Sequence, residues 1–116
     1  MMLPKDRPDI VAKLQFHTTA EGGRKGPIYG TNLFKCIFVF GRELFDCGLL
    51  LDEQSSICPG QAVTVPIRFL VPELLQRRLR PGDKFQLWES RTIAEGEVES
   101  VLLDPGHRET NTLDDD

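Results

Sequence analysis

The stretch Leu33-Phe34-Lys35-Cys36-Ile37-Phe38-Val39-Phe40-Gly41-Arg42 decides the fold of this chain. Phe34, Cys36, Phe38 and Phe40 fall on one side of an extended backbone, and Leu33, Lys35, Ile37 and Val39 fall on the other. That is the period of two that sends alternate side chains to opposite faces of a strand. Three phenylalanines give one face far more apolar area than the other, so the phenylalanine face turns inward. Gly41-Arg42 is a two-residue turn signal, and the run from Leu44 to Leu51 reads as the returning strand.

The same period recurs on both sides of this hairpin. Upstream, Ile10, Ala12, Leu14 and Phe16 alternate with Val11, Lys13, Gln15 and His17, which predicts a strand from about Ile10. Between the two strands, Thr18 to Asn32 holds four glycines and a proline and reads as a loop longer than a hairpin requires. Downstream, Asp52 to Ser56 is a polar connection. Cys58-Pro59-Gly60-Gln61 has Pro and Gly at the centre of a type II turn. It opens a strand in which Val63, Val65, Ile67, Phe69 and Val71 share a face. Pro66 lies inside that strand and removes a ladder donor, so it belongs at an edge, at a bulge, or with its nitrogen turned from the neighbouring strand.

Pro72 to Leu79 is the one helix-like segment, with Leu74, Leu75 and Leu79 spaced to cover an end of the sheet. Arg80-Pro81-Gly82-Asp83 is a second type II turn. Phe85 and Leu87 then alternate with Lys84, Gln86 and Trp88, and a last strand runs from about Ile93 to Leu102 with Gly96 as a bulge or corner. Six short strands parted by Gly and Pro-Gly turns predict an all-β chain: a small six-stranded antiparallel barrel, Greek-key-like, with one short helical turn.

The chain has 116 residues, enough for one core and one domain. Its formal charge of -4 comes from beyond Leu103, where Asp104, Glu109, Asp114, Asp115 and Asp116 face only Arg108. The expected organisation is an extension over 1–7, the barrel over 8–103, and an acidic, disordered tail over 104–116. A charge-balanced barrel is not built to neutralise many phosphates, which speaks against a general nucleic-acid binder and against DNA. Cys36, Cys47 and Cys58 are an odd set with no Cys-x-x-Cys pair, which fits a reducing compartment. There is neither a secretory leader pattern nor a run of eighteen apolar residues, so the expected location is the cytoplasm, without membrane contact.

Catalysis has no visible constellation. His17 and His107 lie far apart in sequence, and no serine or cysteine has the setting of an activated nucleophile. A zinc site would need the three cysteines and His17 to converge, and Cys36 reads more simply as a small core residue. Neither a metal nor a cofactor is expected. Gly22-Gly23-Arg24-Lys25-Gly26 lacks the spacing of a phosphate-binding loop and precedes a strand rather than a helix, so GTP is not expected either.

One loop points to a family. Glu21-Gly22-Gly23-Arg24 resembles the Glu-Gly-Gly-Arg loop of the third domain of elongation factor Tu, a small antiparallel barrel. Pro81-Gly82-Asp83, Phe85, Arg91-Thr92 and Gly96 are similar to that barrel's closing hairpin. The resemblance covers roughly Pro8 to Leu102 and implies a stand-alone, non-enzymatic binding or adaptor barrel, related to translation. In that family the loop and a following aromatic-arginine-proline segment help to hold the T stem of aminoacyl-tRNA. Where the family has Gly-Tyr-Arg-Pro-Gln-Phe, this chain has Gly30-Thr31-Asn32-Leu33-Phe34, without the cation and the rigid proline. The expected partner is therefore a protein, with Arg24, Lys25, Tyr29 and Trp88 as contacts. The alternative is RNA, above all tRNA, with Arg24, Lys25 and the cluster Arg77, Arg78 and Arg80 positioning phosphates. A plainer reading makes Glu21 to Arg24 a stiff β-turn in which Glu21 pairs with Arg24, and Arg77 to Arg80 a solvated face.

Overall fold

The computed structural model describes residues 7–30, 33–52 and 54–103. Among them eight strands follow one another: β1 (Ile10–Phe16), β2 (Ile28–Tyr29), β3 (Phe34–Phe40), β4 (Glu43–Leu49), β5 (Ser56–Ile57), β6 (Ala62–Phe69), β7 (Lys84–Trp88) and β8 (Thr92–Val101). Six of them close into an antiparallel barrel in the order β1-β6-β4-β3-β7-β8, and β2 and β5 form a separate two-stranded ladder. In the barrel β6, β4 and β3 are neighbours and β1 lies beside β6, a Greek-key path in which the chain between β1 and β3 crosses one barrel end. The acidic tail predicted over 104–116 and most of the predicted extension over 1–7 lie outside the described residues.

The alternating sequence runs pack as their period requires. Ile10, Ala12, Leu14 and Phe16 are buried on β1, as are Cys36 and Phe38 on β3 and Val65, Ile67 and Phe69 on β6. Phe38 is fully enclosed. Its ring stacks on Phe85 with centroids 4.2 Å apart and meets Phe69 edge-on at 4.9 Å, arrangements that the ring quadrupole favours. Both Pro-Gly turns place the glycine at positive φ, 87° at Gly60 and 96° at Gly82, as the second central position of a type II turn demands.

Pro66 is accommodated through the antiparallel ladder. The Leu50 amide donates to the Pro66 carbonyl at 3.0 Å, so the imino nitrogen of Pro66 faces the same way, toward the end of the β4–β6 pairing after Leu49. On its other side Pro66 stands opposite Val11, in a pair that exchanges no ladder bonds and loses no donor.

The structure corrects four features of the sequence reading. Helical geometry covers only Pro72–Leu74, a 3-10 turn. Turns carry the chain on through Arg78, with Leu75 and Leu79 buried and Leu74 55% exposed. The bulges of β8 lie at Ile93 and Glu99, which the pairings of β7 and β1 skip, rather than at Gly96. The first bulge lets the consecutive Ile93 and Ala94 both reach the interior. Gly96 is instead a site of close packing, where an added Cβ would stand 2.8 Å from Leu14 Cδ2 and 2.6 Å from Phe85 Cε2. The long loop after β1 and the connection after β4 also hold a ladder of their own, Ile28 opposite Ile57 and Tyr29 opposite Ser56.

Cys36 and Cys47 stand opposite each other on β3 and β4 with sulfurs 3.7 Å apart, both buried and both free. The hydrogen bond to Cys36, together with burial, pushes the Cys47 thiol far up from its ordinary value, which keeps it protonated and inert. Cys58 is exposed. A maleimide added to the folded protein at neutral pH is thus expected to label one thiol rapidly, with the other two reacting only after denaturation. Mass spectrometry of the folded sample tests this, and fast labelling of Cys47 would contradict it.

Candidate functional site

The barrel end crossed by the loop between β1 and β3 gathers most of the residues singled out in the sequence. Hydrogen bonds between neighbours build the loop. The Thr18 amide donates to the Glu21 carboxylate at 2.8 Å, and the Glu21 amide donates back to the Thr18 hydroxyl at 3.1 Å. The Gly22 amide bonds the Thr19 carbonyl, and the Gly23 amide bonds the Thr18 carbonyl. The bond from the Thr18 amide is the main reason that the Glu21 carboxyl sits below its ordinary value. Its contribution to loop order is therefore present above the usual carboxylate range and is lost as pH falls through that lowered value.

The two glycines are needed for different reasons. Gly22 has φ of 95°, a conformation that a β-branched residue reaches only under strain. Gly23 is buried, and a Cβ there would lie 2.6 Å from the His17 carbonyl oxygen. Gly22→Val is expected to cost about 1–3 kcal/mol through backbone strain, read as a shift of the urea midpoint at unchanged slope. A shift within error would show that the turn can relax.

Arg24 does not pair with Glu21, as the turn reading expected. It crosses to the β7–β8 turn and forms an ion pair with Glu89. Its Nε donates to the Gly26 carbonyl at 3.2 Å and its Nη2 to the Pro27 carbonyl at 3.4 Å, while the guanidinium lies over the Phe34 ring at 5.2 Å. Arg91 supports the same junction from the other side by donating to the Gly23 carbonyl at 3.4 Å. With only 26% of its side chain exposed, Arg24 holds the loop against the barrel, and the exposed contact residues around it are different ones. Arg24→Ala is accordingly expected to cost about 1.5–3 kcal/mol, the range for hydrogen bonds to a charged group, measured by denaturant unfolding. A loss below a few tenths would return Arg24 to the solvated surface.

The other named residues are exposed. Lys25, next in the chain, is exposed. Tyr29 on β2 is 68% exposed. Trp88, the last residue of β7 and the neighbour of Glu89, lies on the outer face opposite Ile37 and is 45% exposed. The structure thus brings Arg24, Lys25 and Trp88 to one barrel end, with Tyr29 on the ladder of the same loop. Glu89 was missed in the sequence because nothing in its neighbourhood ties it to a residue 65 positions earlier.

The cluster Arg77, Arg78 and Arg80 lies elsewhere. It precedes β7 whereas Glu89 follows it, so the two cation groups stand at opposite ends of that strand. Arg78 is engaged with both carboxylate oxygens of Glu43 at 3.1 and 2.7 Å and lies over the rings of Phe40 and Phe45. Arg77 and Arg80 remain exposed.

A hollow of about 790 Å³ lies on the outer faces of β1, β7 and β8. Lys13, Gln15, Lys84, Gln86, Glu95 and Glu97 line it, without a cysteine, serine or histidine. His17 meets Glu95 at 3.3 Å near the loop. Among the described residues no group of three or more His, Cys, Asp or Glu side chains converges to hold a metal, and no helix is long and apolar enough to cross a membrane. No protein-family model matches the chain, and a search of curated proteins finds no match.

Proposed function

We propose that this chain is a non-catalytic β-barrel binding module that holds a protein partner in the cytoplasm, as its resemblance to the third domain of elongation factor Tu implies. The observation that carries this reading is the exposure of Tyr29 and Trp88, at 68% and 45%, on a surface fixed by the Arg24–Glu89 pair. Large aromatic side chains presented on a pre-ordered support are the commonest anchors of protein interfaces, since little entropy is lost when they dock. Lys25 beside them adds an exposed cation. The free state of Cys36, Cys47 and Cys58 accords with a reducing compartment.

RNA has less support as the partner. Its cations are divided between two ends of the barrel, and Arg24 and Arg78 are occupied by carboxylates. The test is capture of the partner from cytosol by the immobilised protein, with and without RNase. The Lys25→Ala, Tyr29→Ala and Trp88→Ala variants are run beside the natural sequence. Recovery is expected to survive RNase and to fall at least tenfold in the combined Tyr29→Ala, Trp88→Ala variant. Recovery abolished by RNase, with affinity falling steeply between about 50 and about 200 mM salt, would replace the protein partner by RNA.

A further inference from the structure

We infer that the outer face of β7, β3, β4 and β6 is a groove for an amphipathic helix of a protein partner, one that carries apolar anchors a turn apart and a carboxylate directed between Lys35 and Arg68. This rests on the protein-binding reading above and gives it a partner chemistry.

The strand pairings assemble this face row by row. Trp88 stands opposite Ile37, Ile37 opposite Asp46, and the Leu70 amide bonds the Asp46 carbonyl at 3.0 Å. In the next row Gln86, Val39 and Leu44 are opposite one another, and on the other side Lys35, Gly48 and Arg68 are. The solvated face of an antiparallel sheet is ordinarily polar. Here Leu44 is 68% exposed and Leu70 69% exposed, with Val71 and Leu74 beside them on the segment that leaves β6.

Two hollows lie along the face. The larger, about 420 Å³, runs between Leu33 and Lys35 on one side and Arg68 and Leu70 on the other. The smaller, about 80 Å³, is enclosed by Leu44, Leu70, Val71 and Leu74. Leu70 and Asp46 border both. Side chains three or four apart on a helix are roughly 5–6 Å apart, close to one strand spacing of about 4.8 Å, so one helical turn straddles the Leu70 ridge with an anchor in each hollow. The four strands span roughly 14 Å, the length of about nine helical residues.

Charge sets the orientation. Lys35 and Arg68 stand two strands apart with only Gly48 between them, and Leu33 lies over that glycine, its Cγ 2.7 Å from where a Cβ would be. Neither cation has a hydrogen bond or ion pair among the described residues, and a carboxylate above Leu33 reaches both. Asp46 is likewise without a side-chain partner among the described residues, which favours a lysine or arginine on the helix side facing the smaller hollow.

The experiment selects a displayed library of 16-residue, tryptophan-free amphipathic helices on the full chain. Binding of each selected peptide is read through Trp88, the chain's one tryptophan. Selected peptides are expected to carry apolar residues three or four apart with Glu or Asp on one flank. They should lose at least tenfold in affinity on Lys35→Glu, Arg68→Glu and on Leu70→Asp, all surface changes that leave the core untouched. Circular dichroism and the unfolding midpoint confirm that each variant is folded. Selection of basic helices, of no helix, or of helices indifferent to these variants would overturn the inference. So would concentration-dependent dimerisation removed by Leu70→Asp, because the occupant would then be a second copy of the chain. If cytosolic capture is lost on Tyr29→Ala but persists in the groove variants, the binding-module reading stands and this one fails.

Discussion

Phe38→Ala is expected to lower the unfolding free energy by about 3–5 kcal/mol, the range for emptying an aromatic site in a rigid core. A domain of this size holds only about 5–15 kcal/mol in total, so the variant stands near the edge of folding at 37 °C. The side chain is fully buried at the centre of β3, and its ring touches Phe40, Phe69 and Phe85. Those rings come from β3, β6 and β7, three strands around a closed circuit that cannot move inward together. The cavity therefore persists, and its surface is what destabilises. Equilibrium urea unfolding with an unchanged slope measures the effect; a loss below about 1 kcal/mol would mean that the barrel collapses onto the gap.

Gly96→Val is expected to cost about 3 kcal/mol by overpacking, although Gly96 lies in a strand where valine is otherwise favoured. The new side chain must displace the Phe85 ring and Leu14. Phe85 is stacked on Phe38 at 4.2 Å, so strain spreads to the same aromatic centre. The check is a double-mutant cycle with Phe85→Leu, which opens space at the contact. The pair should couple favourably by more than about 0.5 kcal/mol, and strict additivity would place the cause elsewhere.

These two sites show how far the sequence could be read. The phenylalanine face of Phe34 to Phe40 was legible, because period-two alternation depends only on local geometry and on which side chains leave water. The Pro-Gly turns were legible for the same reason, since the turn type fixes its own residue chemistry. Gly96 was recognised as special but not for the right cause: a glycine at a bulge and a glycine beneath an aromatic ring look alike until the facing strand is known. The short helical turn at Pro72 was legible, but its extent to Leu79 was not, because Leu75 and Leu79, four apart and both buried, fit a short helix as well as a series of turns.

The candidate site was legible as a position and not as a set of roles. Gly22 announced its turn, yet Arg24 could be assigned to solvent or to structure only through Glu89, a partner 65 positions away in sequence. The apolar outer face was harder still. Ile37, Leu44 and Leu70 belong to three strands or their ends, and only the register of β3, β4 and β6 makes them neighbours.

The closed circuit of β1 onto β8 also limits what kind of recognition is open to this chain. A sheet that ends exposes a row of unpaired amides and carbonyls, to which any extended segment can add itself almost regardless of sequence. Among the described residues only short stretches lie outside the barrel's ladders, 34–36 beside β7 and 62–66 beside β4, and the two-residue ladder of β2 and β5 offers only a stub. A partner must then be chosen by side chains, on the loop or on the outer wall, where each contact can change without disturbing the scaffold beneath. Affinity gained this way is editable one residue at a time, and the barrel that carries it is shielded from the strand-to-strand stacking that turns open sheets into aggregates.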